Sequence, residues 1–148
     1  MTTWQSALSR AAPRVLALLW AGYATTRIVA YIDSAPPQLA VIHSILPLWV
    51  PWAVAAVLLT LGALVPPWGS DRQKRIAQHM RQWGSTVSSA TIMAWAAAFL
   101  VADVSRGWVS AANYVMLGVF ALVSGWIMSR EVASVHAIRE DMNARMVD

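Results

Sequence analysis

The sequence predicts an all-α integral membrane protein with four transmembrane helices. Of its 148 residues, 58% are hydrophobic and only 12% are charged, about half the charged fraction of an ordinary soluble domain. The mean hydropathy is +0.52, and four separate stretches approach the roughly 20 apolar residues that a helix needs to cross a bilayer. This composition excludes a soluble globular domain. The absence of cysteine excludes disulfide scaffolds and thiolate metal sites.

The four predicted spans belong to one membrane domain that includes the whole chain, residues 1–148. Each span must be helical because hydrocarbon offers no hydrogen-bond partner to the backbone. Pro36-Pro37, Pro66-Pro67 and Gly84 fall between spans, and Pro51 is an entry residue in the first turn of the second. The spans are expected at about residues 14–32, 48–65, 85–102 and 111–128.

Three further segments are too short or too polar to cross. Residues 2–12 predict a short helix on the inner surface. Residues 39–46 are apolar but only eight in number, so they lie at the outer interface or pack across the bundle mouth. Residues 130–148 predict a cytoplasmic amphipathic helix that continues from the fourth span. This tail lies on the membrane or pairs with another copy.

The distribution of basic residues predicts the orientation. Nine of the eleven fall at residues 10–14, 72–81 and 130–145, all on one side of the predicted spans. Because cytoplasmic loops retain arginine and lysine, both termini are expected in the cytoplasm, in the cytoplasmic (inner) membrane of a bacterium. Tryptophans collect at the membrane interfaces and predict the same boundaries. Trp49, Trp52 and Trp108 are expected at the outer face, and Trp68, Trp83 and Trp126 at the inner face.

Arg27 is the charged residue predicted to lie inside a span. A cation in the bilayer costs from about 2.5 kcal/mol upward and usually marks a site. Tyr23 and Tyr31 lie four residues before and after it, on the same helical face. In a functional interpretation Arg27 faces the bundle interior, pairs with an acid or a phosphate and contacts the tyrosine rings. Snorkelling to the outer interface, about 8 Å away, is the preferred alternative.

The third span combines hydroxyl groups with small residues. A pore lining needs such a polar face, and so does a dry interface between helices, where small side chains let backbones approach closely. Packing is the preferred interpretation because alanines follow at four-residue intervals. The candidate polar lining is Ser85, Ser88, Ser89 and Thr91, and the candidate packing residues are Ala90, Ala94, Ala98, Ala102, Gly118, Ala121 and Gly125.

The connection between the second and third spans is expected to be a basic loop at residues 71–81. Its cations can bind anionic lipid headgroups, each contributing about 1 kcal/mol, although membrane insertion alone explains them equally well. The candidate headgroup residues are Arg72, Lys74, Arg75 and Arg81. The basic residues form no long run, so no nucleic-acid partner is expected.

The sequence predicts no catalytic residue, metal site or cofactor. The three histidines lie on separate segments, and no nucleotide-binding, hydrolase or metalloprotease motif occurs. Proton-coupled exporters of this size need a membrane carboxylate, and no acidic residue lies within a span. A small multidrug exporter is therefore disfavoured, and an enzyme is not expected.

The outer turn and fourth span carry a family resemblance. The run SRGWVSAANYVML at residues 105–117 resembles small four-span membrane proteins encoded near the lysis genes of actinobacteriophages, and the excess of arginine over lysine suits a GC-rich actinobacterial source. Such proteins are regarded as holins or holin partners, so the resemblance implies a homo-oligomer that permeabilises the membrane. A non-catalytic accessory subunit of a larger membrane complex and a phage superinfection-exclusion protein remain alternatives.

Overall fold

A computed structural model of the chain is helical throughout its regular elements. It describes the backbone of residues 3–33, 35–66, 68–102 and 104–145, and the side chains of 11–33, 35–66, 68–102 and 107–129. The all-α prediction is confirmed for this part of the chain. The helices are α1 (Thr3–Tyr31), α2 (Ala40–Ile45), α3 (Trp49–Leu64), α4 (Asp71–Ala102) and α5 (Val104–Arg145), and a 3-10 turn at Pro37–Leu39 precedes α2.

Two of these helices are long and apolar enough to span a membrane. They are α4 and the Gly107–Ser129 part of α5. Pro37–Ile45 and α3 form a pair bent by 74°, which makes a third candidate if the pair is one span. The helix α1 does not meet the same criterion, because Arg14 and Arg27 lower its mean hydropathy. The described helices therefore indicate a membrane protein with two to three candidate spans.

The long helices pack as an antiparallel bundle. The most extensive contact joins α4 to α5, and α1 packs mainly on α3 and also contacts α5. We call the end where α3 meets α4 the basic end and the end with the Pro37–Leu39 turn the proline end. Large apolar side chains cover the outside of the bundle, including Val29, Leu64, Val101 and Phe120. A lipid environment solvates such a surface, whereas water would not.

The basic segment at residues 71–81 is helical, so its prediction as a loop is wrong. It forms the first three turns of α4, which begins at a capping box. The amide of Ser70 donates to Oε1 of Gln73 over 2.8 Å, and the amide of Gln73 donates to Oγ of Ser70 over 3.3 Å. Gly84, expected between spans, lies inside the same helix.

Both chain ends continue into the bundle helices. The predicted separate helix at residues 2–12 is instead the start of α1, which runs through Pro13 without a break. The predicted continuation of the last span into the tail is confirmed, because α5 extends to Arg145. The amphipathic character predicted for residues 130–148 concerns side chains outside the described residues.

The connection at residues 37–46 is partly packed on the bundle and partly exposed. Leu39 is fully buried, and its turn packs against α4 at the proline end. The following helix α2 buries no residue and exposes Val41 and Ile45. Nδ1 of His43 accepts a hydrogen bond from the amide of Leu48 over 3.5 Å, which links α2 to the start of α3.

Candidate functional site

Seven aromatic side chains form a connected cluster in the proline-end half of the bundle. Its centre is Trp95 of α4, whose ring centroid lies 5.3 Å from that of Trp52 on α3 and 4.7 Å from that of Tyr31 on α1. Both contacts are edge-to-face, whereas Phe99 and Tyr114 are stacked, and aromatic quadrupoles favour both geometries. The cluster therefore joins all four long helices. Its members are Trp20, Tyr23, Tyr31, Trp52, Trp95, Phe99 and Tyr114.

Trp52 shows where the interfacial-tryptophan prediction is wrong. It is fully buried, whereas the other five tryptophans predicted at the interfaces are exposed. The sequence analysis did not predict this cluster. The spacing of Trp20 and Tyr23, three residues apart, did indicate that the two rings share one face of α1. Aromatic residues in a membrane protein suit both an interface and a core, and only the packing partners decide between them.

Arg27 lies at the edge of this cluster. Its guanidinium carbon is 4.8 Å from the ring centroid of Tyr23, a cation-π distance, and the side chain is half-buried. Tyr31 is buried and packs edge-on against Trp95. The structure thus brings Arg27 to Tyr23 as the functional interpretation expects. Arg27 makes no ion pair with a carboxylate among the described side chains, where Lys74 pairs with Asp71.

The hydroxyl cluster of α4 faces other helices. The Ser89 hydroxyl donates to the carbonyl of Gly118 over 2.9 Å, and the Ser85 hydroxyl donates to the carbonyl of Ala121, both on α5. Ser88 and Thr91 donate to carbonyls one turn back on α4 itself. All four residues are buried. In this state of the bundle they are interhelical and intrahelical hydrogen-bond donors, not the lining of a pore.

We expect Ser89→Ala to weaken the α4–α5 contact modestly. The change removes one interhelical hydrogen bond and little volume, and such bonds average about 0.6 kcal/mol in a membrane, with a maximum near 1.7. Equilibrium unfolding of the purified protein with increasing sodium dodecyl sulfate, followed by circular dichroism, measures the loss. Thr86→Val is the control, because the Thr86 hydroxyl donates to its own helix at the carbonyl of Gln82. An equal loss in the control contradicts the interhelical assignment.

The predicted small-residue face divides into two parts. Gly118, Ala121 and Gly125 of α5 are buried against α4, where Gly118 meets Met93 and Gly125 meets Ser85. The α4 residues are placed differently. Ala90, Ala94 and Ala102 are exposed and Ala98 is half-buried, so no described helix of the same chain covers the three exposed alanines, and their use in helix packing stays a prediction.

Arg81 is not available to lipid headgroups, contrary to the sequence prediction. Its side chain is only 4% exposed, and Nη1 donates to the carbonyl of Gly62 over 2.8 Å. Gly62 is in the last turn of α3, where carbonyls lack intrahelical partners and a cation is favoured by the helix dipole. Arg81 therefore holds the end of α3 against α4. Arg72, Lys74 and Arg75 remain exposed as predicted.

A groove of about 180 Å³ opens between α4 and α5 toward the basic end. Its deepest residue is Ser85, and the side-chain amide of Gln78 donates to the carbonyl of Ser129 beside it. Sequence reasoning missed this feature because its walls come from two helices. We call it the α4–α5 groove, and its lining residues are Gln82, Ser85, Thr86, Leu122, Gly125, Trp126 and Ser129.

The described residues contain no group of three histidine, cysteine or acidic side chains that could hold a metal ion. The polar side chains that come together are serines and threonines donating to backbone carbonyls, which is a structural use. Comparison of the chain with protein-family models, curated proteins and solved structures finds no match. Function must therefore be argued from the geometry alone.

Proposed function

We propose that this chain is a four-span, non-catalytic protein of the cytoplasmic membrane that assembles with copies of itself and permeabilises the bilayer, as holins do. One observation carries the proposal, namely the division of α4 into two faces. One face holds buried hydroxyl groups against α5, and the other exposes Ala90 and Ala94. The second face is open to another copy, and the first is a polar surface that an assembly can uncover.

The exposed alanines supply the contact between copies. In lipid, the hydrophobic effect does not drive helices together, because the acyl chains are as apolar as the side chains. Helices therefore associate through close van der Waals packing. Small side chains spaced four residues apart, as at Ala90, Ala94 and Ala98, let a second backbone approach closely. Larger apolar side chains cover most of the remaining outer surface, including Val119 and Phe120 on α5.

The buried hydroxyls give α4 and α5 faces that water can solvate once the two helices separate. Separating α4 from α5 breaks the hydrogen bonds from Ser85 and Ser89, each worth about 0.6 kcal/mol on average in a membrane. Water replaces the α5 carbonyls as hydrogen-bond partners of Ser85 and Ser89 once this face of α4 lines an aqueous space. An assembly in which several copies separate together thus obtains a water-compatible lining from residues that are satisfied in the closed bundle.

The four-span topology completes this proposal. The helix α1 packs along α3 and α5, so it lies beside α5, which meets the span criterion, and beside α3, which meets it together with Pro37–Ile45. Its Arg27 contacts the Tyr23 ring, which offsets part of the cost of a cation in the bilayer. With nine of eleven basic residues on one side of four spans, both termini belong in the cytoplasm.

Disulfide cross-linking tests the contact between copies. The chain has no cysteine, so Ala94→Cys introduces a single thiol and any cross-linked dimer must join two copies through it. We expect Ala94→Cys to form dimers in membranes on mild oxidation. The matched control is Ala112→Cys, because Ala112 is an exposed alanine on α5. Equal yields from both variants, or none from Ala94→Cys, contradict the proposed interface.

Induced expression in a bacterial host tests the activity. We expect abrupt loss of membrane potential, read with a potential-sensitive dye, and we expect Ala94→Leu to delay or abolish it while Ala112→Leu leaves it intact. Harmless accumulation together with copurification of a larger complex supports an accessory subunit and contradicts the proposal. Harmless accumulation with resistance to incoming phage supports superinfection exclusion and contradicts it equally.

A further inference from the structure

We infer that the α4–α5 groove, with the exposed cations above it on α4, binds one anionic phospholipid. This inference is independent of membrane permeabilisation, since a lipid can bind to the closed bundle. It rests on three features of the described residues: a groove of about 180 Å³ at the bundle surface, a polar wall within it, and two exposed arginines, Arg72 and Arg75, on the same side of α4.

The wall of the groove offers a side-chain donor group at Gln82. The hydroxyls of Ser85, Thr86 and Ser129 donate to backbone carbonyls within the protein. The side-chain amide of Gln82 lines the groove and makes no hydrogen bond among the described residues. It is therefore placed to donate to an ester or phosphate oxygen of a bound lipid. Leu122 supplies the apolar wall against which the start of an acyl chain packs.

Two arginines and a histidine lie above this donor. Arg72, Arg75 and His79 precede Gln82 at intervals of three or four residues, so all four share one face of α4. The three are exposed. The acidic residue of this turn, Asp71, forms an ion pair with Lys74 at 3.9 Å, and neither Arg72 nor Arg75 has an ion pair with a described carboxylate. This face is positively charged and suits a phosphate.

The spacing of the basic side chains and Gln82 along the axis of α4 fits the length of a phospholipid headgroup. His79 and Gln82 are three residues apart, a rise of about 4.5 Å. Each interfacial region of a bilayer is roughly 5–8 Å thick, from the hydrocarbon boundary to the outer headgroups. A phosphate beside Arg75 and His79 therefore leaves the glycerol esters at the depth of Gln82. Trp126, on the opposite wall, is partly exposed at this depth, where indoles collect in membrane proteins.

Native mass spectrometry of the full chain, released from micelles containing equal amounts of phosphatidylglycerol and phosphatidylcholine, tests the inference. We expect the wild-type protein to retain one phosphatidylglycerol in preference to phosphatidylcholine. We expect Arg75→Ala to reduce that retention about fivefold, the effect of removing one cation near a lipid phosphate. Gln82→Leu is expected to reduce it as well, without changing the net charge. Both positions are exposed, so the helical content measured by circular dichroism should not change.

The matched control is Lys74→Ala. It changes the net charge by the same amount in the same turn, but the Lys74 ammonium is already paired with the Asp71 carboxylate at 3.9 Å, whereas Arg75 has no ion pair with a described carboxylate. We expect retention within about twofold of wild type. Equal losses in Lys74→Ala and Arg75→Ala show attraction by net charge alone and overturn the site. Equal retention of the two lipids overturns it, as does displacement of the lipid by inorganic phosphate at millimolar concentration. Cross-linking of Thr86→Cys between copies assigns the groove to a protein contact and also overturns it.

Discussion

Replacing Trp95 with alanine is expected to destabilise the bundle by about 3–5 kcal/mol, the usual cost of truncating a buried tryptophan. Trp95 is 1% exposed and lies between rings from three other helices. It contacts Tyr31 of α1, Trp52 of α3 and Tyr114 of α5. Removing the indole leaves a void that no neighbouring side chain fills. The dispersion contacts that hold helices together in lipid are lost on several sides at once.

The measurement is unfolding of the purified protein in mixed micelles, followed by circular dichroism as the fraction of sodium dodecyl sulfate rises. Trp68→Ala is the matched control, because it removes the same side chain from a position that is 85% exposed. We expect the control to unfold at the wild-type detergent fraction. If Trp95→Ala unfolds there too, the aromatic cluster does not hold the helices together, and the arrangement of α4 at the proline end is wrong.

The positions of the helices could be predicted from the sequence because runs of apolar residues are a local signal. The segments predicted at residues 85–102 and 111–128 lie within α4 and α5, and both parts meet the criterion for a span. The helix ends could not be predicted as well. A hydropathy pattern marks where a helix enters lipid, whereas α4 begins at Asp71 through hydrogen bonds between Ser70 and Gln73.

The faces of the helices were harder to predict than their positions. In a soluble protein the polar face is the outer one, but here the outside is apolar and serines are buried. Ser85 and Ala94 are therefore ambiguous by composition, since both suit close helix packing. Burial separates them: Ser85 is turned to α5, and Ala94 is exposed. Sequence alone proposed the right residue types but not their partners.

Arg81 illustrates the same limit for charged residues. Its neighbours Arg72 and Arg75 are exposed, so a basic segment indicated a headgroup surface for all of them. Arg81 differs because its position on α4 comes opposite the end of α3, where the Gly62 carbonyl accepts its Nη1 proton. The contact joins residues 19 positions apart in sequence, and no local pattern encodes it.

Gly62, the single glycine of α3, is expected to resist replacement by any larger residue. A Cβ atom at this position would lie 2.7 Å from Cγ of Arg81 and 2.8 Å from the carbonyl oxygen of Ala77. The second contact is with backbone, so rotating a side chain cannot relieve it. Gly62→Leu must push α3 away from α4, and overpacking of this kind costs about 1–3 kcal/mol. Displacing Arg81 from the buried Gly62 carbonyl adds about 1–3 kcal/mol, the cost of a buried acceptor without a partner.

Gly22→Leu is the matched control for this prediction, because a Cβ atom at Gly22 on α1 meets nothing within 4 Å. The two variants insert the same side chain into a helix, and leucine has the higher helix propensity in both cases. We expect Gly22→Leu to unfold at or above the detergent fraction of the wild type and Gly62→Leu well below it. Equal stability of the two variants contradicts the close approach of α3 to α4, and with it the buried position of Arg81. The contrast therefore tests the basic end of the bundle independently of the aromatic cluster at the proline end.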